Sequence, residues 1–542
     1  MYEYVGRFPN HIQRKGTVMK KFLLLLLALI MVVSVFAACG DGDKGKTESS
    51  KKTTPKKDDD TTVEVPENEQ LNVDIDSIDY GGNTVVRVIH WQPDNVEFGV
   101  TIDESNKNDN VLNAIAMRNS YTEIDLGITL EFNEEAYGYN NVNKFIDELQ
   151  KWVDDPMTPV DLIAAQTRMM PTILYEGFLT DLNLYSDSLD FDKAWWPESA
   201  KDLHEIKGNL YFVSGDISPN LLRMMTLLFV NKTILEAHNY NYESFMEQIR
   251  AGEWYLDDLM EMTQGMWKNG DDTTQPGPSV DDEFGLVTAW MHSDALYVGC
   301  GFKYLVTSSK DDQVFRLSSD MTGELVGNYV TDMIDWAKTY DFYCGPVGSG
   351  LYQDNFKDGK SLFCLHRAWY GFTLQETDIN FAIIPTPKLN EDQDEYYTTI
   401  GNQYTSYGIC TDSEDYDRAA QTMQVLGYYG FTYTTPEIFE VSFKGQQAKD
   451  DYAILMFDIV RNAISFDPGR IYDSFIAGSD GSMWKYYPPN IISFAICATE
   501  EDKSVWTTDN VWTSSFSNSK RKYLTDTLIA QANEKLLQYA NN

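Results

Sequence analysis

The 542-residue chain carries 43 lysines and arginines against 83 aspartates and glutamates, a formal net charge of −40. So acidic a surface repels a polyanion and has no basic face from which counterions could be released, which excludes nucleic acid as a partner. With 43% hydrophobic residues the chain can bury a core, its length suggests more than one lobe, and its 12 Trp and 33 Tyr are either core rings or flat stacking surfaces for sugars or peptides.

The first element is the apolar run Phe22–Ala38, at the lower limit of the ~17–25 residues that span a bilayer as a helix. Its flanks read as a secretory signal peptide over 1–38: Lys20 and Lys21 form the basic region, and the small pair Ala37-Ala38 sits where a signal peptidase cuts. Phe36-Ala37-Ala38-Cys39 resembles a bacterial lipobox, which would make Cys39 the lipidated (palmitate-bearing) N-terminus of a lipoprotein and hold the body at the outer face of a Gram-positive cell membrane. The residues before Met19, with Tyr2, Tyr4, Phe8 and Pro9, suit a secretory n-region poorly. Met19 is the better initiator, an unusually long n-region being the alternative. Removing the leader leaves a net charge of about −44, since it holds five basic residues and one acid.

From Cys39 to about Gly82 the chain is Lys, Asp, Thr, Ser and Glu with little apolar content, too little to offset its ordering entropy, and reads as a tether. The five other cysteines, Cys300, Cys344, Cys364, Cys410 and Cys497, are odd in number and widely spaced. They are expected to be mostly buried small hydrophobes rather than a disulfide framework, with one bridge as the open alternative.

Past the tether, "NTVVRVIHWQ" (83–92) predicts a buried strand and 110–123 a helix. "GITLEFNEE" predicts a second strand, "NVNKFIDELQKWV" a second helix, and "VDLIAAQT" (160–167) a third strand. This alternation signals βαβ units and a parallel sheet, in which ligands sit at the carboxyl ends of the strands.

A series of segments then resembles the family 1 extracellular solute-binding proteins of bacterial ABC importers, the maltose-binding-protein-like group. The series begins with Val160-Asp161-Leu162-Ile163 and the turn Gly177-Phe178-Leu179-Thr180-Asp181-Leu182, followed by Phe229-Val230-Asn231-Lys232 through Leu235. It continues with "GEWYLDDLMEMTQGMWKNG", Gly359-Lys360-Ser361-Leu362-Phe363 through Trp369, Pro385-Thr386-Pro387, and Gly401 to Ile409. The match runs from about Asn83 to at least Gly430. It departs at Leu365-His366-Arg367-Ala368-Trp369, which lacks the family's glycine, and at the C-terminal part, which resembles a clostridial-type branch.

The resemblance implies an α/β, two-lobed periplasmic-binding-protein-like fold of type II, each lobe a mostly parallel sheet flanked by helices and hinged by crossing strands. Lobe one would comprise 83–214 and 388–435, and lobe two 219–386 and 436–542. The implied function is capture of a sugar or oligosaccharide by cleft closure and delivery to permease subunits, with no covalent chemistry and no cofactor. Peptides or another polar solute remain open as cargo, as does a sensing or adhesion role.

Candidate ligand contacts fall at the strand ends. Trp91 and Gln92 follow the first strand, Glu134 and Glu135 close the second, and Gln166 and Thr167 close the third. Trp290, Trp369, Tyr404 and Trp484 lie where the resemblance places pocket aromatics. Carboxylates make strong acceptors for sugar hydroxyls. Arg367 would either clamp an acidic ligand or form a structural salt bridge. A glycosidase is disfavoured because Glu134 and Glu135 are adjacent on a strand and point to opposite faces. Asp358-Gly359-Lys360-Ser361 lacks the first glycine of a phosphate loop, and His204-Glu205 has no second histidine at zinc-binding spacing.

Overall fold

In the computed structural model the described residues are 65–200, 205–270, 278–345, 350–443, 451–477 and 522–540. The chain divides into a unit up to Glu64 and a larger unit from Val65 to Asn542, and every described residue belongs to the second. Cys39, the leader, Trp484 and Cys497 lie outside the described residues. Among the described residues no helix is long and apolar enough to cross a membrane.

Nine strands build the two main sheets: β1 (Thr84–Trp91), β2 (Ile128–Glu135), β3 (Leu162–Gln166), β4 (Thr226–Asn231), β5 (Phe284–Ala289), β6 (Phe342–Gly345), β7 (Ser361–Arg367), β8 (Phe381–Ile384) and β9 (Thr405–Ile409). The first sheet has the order β9-β3-β1-β2. Its strands β1, β2 and β3 run parallel, and β9 runs against β3 with Thr405 opposite Gln166. The second sheet has the order β6-β5-β7-β4-β8. There β6, β5 and β7 are parallel and β4 alone is reversed, pairing antiparallel with both β7 and β8. Every residue of β3, β4, β5, β7 and β9 is buried, as expected of strands covered on both faces. The edge strand β2 keeps only Ile128 fully buried.

Helix α1 (Asn110–Leu126) starts where Asp109 accepts a hydrogen bond from the Leu112 amide and ends at the left-handed Gly127. It runs three residues past the expected Glu123 because Leu126 is drawn into the core. Helix α2 (Val142–Val153) buries Phe145 and Leu149, one turn apart.

Part of the expected tether is instead packed on the body. Val73 is buried, Leu71, Ile75, Ile78 and Tyr80 pack against the core, and Tyr80 donates to Gln421 at 2.8 Å. Five apolar side chains within ten residues suffice to dock a stretch whose average composition is polar.

The chain passes three times between the sheets. After Val213 pairs with Tyr407 of β9, residues 214–225 lead to β4, and Met225 pairs with Ile400. The return runs from β8 through residues 385–404 into β9. The third passage follows helix α3 (Tyr416–Tyr429) through a π-helical turn, Gly430–Thr434, into α4 (Thr435–Phe443) and α5 (Asp451–Asn462). That turn presses on the first passage: a Cβ at Gly430 would lie 2.1 Å from the Asp216 carbonyl oxygen, so only glycine fits. Buried Asp216 accepts from Thr435 Oγ1 at 2.8 Å and from Arg461 Nη2 at 2.7 Å, tying the first passage to the third.

Cys300, Cys364 and Cys410 are free and buried, as expected, while Cys344 is disulfide-bonded. Trp195, Trp196, Trp254 and Trp336 are core rings.

Candidate functional site

The parallel strands of the first sheet end at Trp91, Glu135 and Gln166, and those of the second at Ala289, Gly345 and Arg367. The peptide Ile400–Thr405 touches both sets of ends. Arg367 Nη1 donates to Gln403 Oε1 at 3.2 Å, and Trp91 Nε1 donates to Thr405 Oγ1 at 2.8 Å. Gly401 is anchored by its amide to Met224 O at 2.8 Å. The carboxyl edges of both sheets therefore meet one crossing segment, and the space they flank is the candidate ligand cleft.

On the first sheet, Trp91 is 4% exposed and its ring lies in the core. Gln92 and Glu134 are exposed and bonded to each other at 3.0 Å. Glu135, on the opposite face, accepts from the Trp152 indole of α2 at 2.9 Å. The two glutamates do diverge, as strand alternation requires. Gln166 and Thr167 are buried. Thr167 shares a 2.7 Å hydrogen bond with Ser406, and Gln166 Oε1 has no hydrogen-bond partner. Arg168 is engaged with Asp473 through two guanidinium nitrogens.

Beside these, a small recess open to solvent is lined by Thr167, Asn402, Tyr404, Asp467 and Arg470 among others. Burial pushes the Asp467 carboxyl up to about 6 although three backbone amides, of Tyr304, Leu305 and Gly469, point at it. Tyr404 is buried against Phe466, with ring centroids 5.9 Å apart.

On the second sheet, Trp290 follows β5 and Trp369 follows β7, both half-buried. Between them lies a polar aromatic stack. His366 is 4.5 Å from His292, 5.5 Å from Tyr352 and 4.8 Å from Trp369 by ring centroids. His366 Nδ1 donates to Arg367 O at 3.1 Å, so Nε2 is the acceptor of the Gln353 amide at 3.0 Å. Desolvation drives His366 down to about 3 and His292 well below its ordinary value, so both imidazoles are neutral at physiological pH. Among the described residues no salt bridge forms at Arg367. It is 9% exposed, its one hydrogen bond goes to the neutral Gln403, and its Nε has no partner. A Cβ at Gly401 would lie 2.5 Å from that Nε, so the guanidinium rests directly on glycine backbone.

Sequence reasoning missed Glu97, Asn220 and Arg223, a buried polar group bonded to the crossing segment through Thr405. Buried Glu97 accepts from Asn220 Nδ2 at 2.7 Å and from Thr405 Oγ1 at 2.9 Å, and desolvation raises its carboxyl. Asn220 and Arg223 sit on a short helix, Pro219–Arg223, opened by proline at its first turn. The Pro219 helix start was the one available signal. Glu97 lies in an aperiodic stretch that carries none. Among the described residues no group of three His, Cys, Asp or Glu side chains is placed to hold a metal ion.

No protein-family model and no curated protein matches the chain. Solved structures do. A cyclo/maltodextrin-binding protein complexed with maltotetraose aligns over 82% of this chain and 98% of its own, at 13% identity and a TM-score of 0.50. The maltose-binding periplasmic protein of Listeria monocytogenes in complex with maltose covers 81% and 99%, at 13% identity and 0.47. An ABC substrate-binding protein of the same organism in complex with cycloalternan covers 81% and 99%, at 12% identity and 0.46. The first of these likenesses, with the sheet topology, establishes the fold: a two-lobed α/β substrate-binding-protein fold, each lobe a mostly parallel sheet flanked by helices and joined by crossing strands.

Proposed function

We propose that this chain is a lipid-anchored, extracellular solute-binding receptor that captures an oligosaccharide between its lobes and hands it to the permease subunits of an ABC importer. The observation that carries the reading is the contact of one crossing peptide with both carboxyl edges, through Gln403 to Arg367 and through Thr405 to Trp91. A ligand that bridges the two edges stabilises the closed arrangement by its differential affinity, and closure is the signal a permease can recognise. Half-buried Trp290 and Trp369 offer stacking faces, while Gln92, Glu134 and Asn402 offer hydrogen-bonding edges for hydroxyls. The fold neighbour complexed with maltotetraose supports a saccharide over a peptide. Anchoring rests on Cys39 and the small residues before it.

The reading is tested by thermal-shift screening of the purified chain from Cys39 onward against a panel of oligosaccharides and peptides. Stabilisation by at least one saccharide is expected. Stabilisation by peptides and by no saccharide would remove the carbohydrate assignment. Recovery of a Cys39→Ala chain in the culture medium instead of the membrane fraction tests the anchor.

A further inference from the structure

Two arginines at the second-sheet edge of the cleft have no structural partner that accounts for them. Arg367 ends β7 opposite Thr226, and the Trp369 amide donates to Arg223 O at 2.9 Å, so Arg223, Arg367 and Trp369 belong to one small patch of backbone. Both arginines are buried, at 7% and 9% exposure. Other arginines with little exposure are ion-paired or bonded through every nitrogen, although the Nε of Arg461 and of Arg418 lacks a partner as that of Arg367 does. Arg168 is held by Asp473, Arg461 by Asp216, and Arg118 bonds through all three nitrogens to Asn119 Oδ1 and the carbonyls of Ile217 and Glu97. By contrast, Arg223 has a single hydrogen bond, to Asn220 Oδ1 at 3.2 Å, and Arg367 a single one, to Gln403 Oε1.

Among the described residues neither is ion-paired, in a chain that carries 83 acidic residues in all. The acids that act on them do so at a distance, Asp94 on Arg367 and Glu97 and Asp109 on Arg223. Glu97, the buried one of these, is held by Asn220 and Thr405 instead. Burial pushes Arg367 down to about 10, which still leaves it charged at neutral pH. Taking two guanidiniums out of water with neither a carboxylate nor the full set of neutral acceptors that Arg118 finds is unfavourable, and a counter-charge arriving from outside the chain would offset that cost. Flat apolar groups flank the pair: Trp369 is two residues beyond Arg367, and the Phe372 ring centroid is 5.6 Å from the Arg223 guanidinium.

We propose that Arg223 and Arg367 are an anion-recognition pair, and that the ligand of this cleft is an oligosaccharide bearing carboxylates, of the uronate type, rather than a neutral glucan. The inference rests on the receptor reading above and deepens it. A planar guanidinium matches a carboxylate with two parallel hydrogen bonds, whereas a hydroxyl offers it no charge. The uronate carboxylate is attached directly to the pyranose ring, so a ring stacked on Trp369 brings it beside the guanidiniums. Because the body as a whole is strongly negative, it repels such a ligand at long range, and the attraction has to be local.

The test is calorimetry on the wild-type protein with trimers of galacturonate, glucuronate and mannuronate, each compared with its methyl ester, and with maltotriose as the neutral glucan. At least one free acid is expected to bind tenfold or more tightly than its ester, and to weaken as salt rises. Arg367→Gln and Arg223→Gln should each reduce that affinity at least tenfold, and Gly401→Ala, which crowds Arg367, should reduce it less. Esters binding as tightly as the acids, or maltotriose binding while no uronate does, overturns the inference and leaves the receptor reading standing. Binding of no saccharide of either kind removes both. The acid-against-ester comparison needs no variant, so a misfolded variant does not blunt it.

Discussion

Trp91 and Thr405, 314 residues apart in sequence, share a 2.8 Å hydrogen bond from the indole Nε1 to the threonine hydroxyl, and that hydroxyl in turn donates to Glu97 at 2.9 Å. The chain Trp91–Thr405–Glu97–Asn220 pins the end of β1 to both the first and second passages between the sheets. Trp91→Phe keeps an aromatic ring and removes the donor, stranding a buried acceptor. A loss of about 1–3 kcal/mol is expected, read as a lowered midpoint in denaturant unfolding.

The Arg168–Asp473 pair joins the end of β3 to the helix Asp473–Ala477, with both side chains almost wholly buried. Asp473→Asn leaves Arg168 charged and without its counter-ion in the interior. The cost should be about 3–5 kcal/mol, well above that of Lys151→Gln at the exposed pair with Glu148. Parallel urea titrations of the two variants check the contrast.

Acid should act through the buried histidines. His90 is held down to about 4 and His366 to about 3, first by desolvation, against about 6.5 in the unfolded chain. The unfolded chain therefore binds these protons first. The stability that each neutral imidazole contributes is complete above about pH 6.5 and is lost as pH falls from there toward the folded values. At pH 5 the loss is about 2 kcal/mol for each. Asp467 works the other way, because its raised carboxyl takes up a proton in the folded protein first. The clean readout is thus a difference: the Tm of His366→Gln minus that of the wild type should rise between pH 7.5 and pH 5. A constant difference would mean that His366 is not kept neutral.

Trp369 caps the short helix Tyr370–Leu374, stands edge-on to His366 and is half-buried. Trp369→Ala should unfold cooperatively, like the wild type, yet lose at least tenfold in affinity for whichever saccharide stabilises the protein. Unchanged affinity in calorimetry would return the ring to a packing role.

Much of the fold can be read from the sequence for a definite reason. Strands β1 and β3 are mostly apolar and almost wholly buried, as strands covered on both faces are, and α1 declares its start through Asp109. The cleft was only half legible. Trp290 and Trp369 stand at strand ends as their positions suggested, but the burial of Trp91 depends on Thr405, which no local pattern connects to it. Arg367 left a salt bridge and a ligand clamp both open, and what counts against the salt bridge lies in its neighbours: Gly401 and Gln403 approach from another passage of the chain, and neither carries a charge. Residues 65–82 were masked by averaging, since a polar mean conceals the alternating Leu71, Val73 and Ile75.

Gln403 and Thr405 are two positions apart on one extended peptide, so they cannot follow Arg367 and Trp91 independently. On the receptor reading proposed above, this gives the segment one consequence: a ligand that displaces the end of one sheet has to displace the end of the other with it, because a single short peptide holds both.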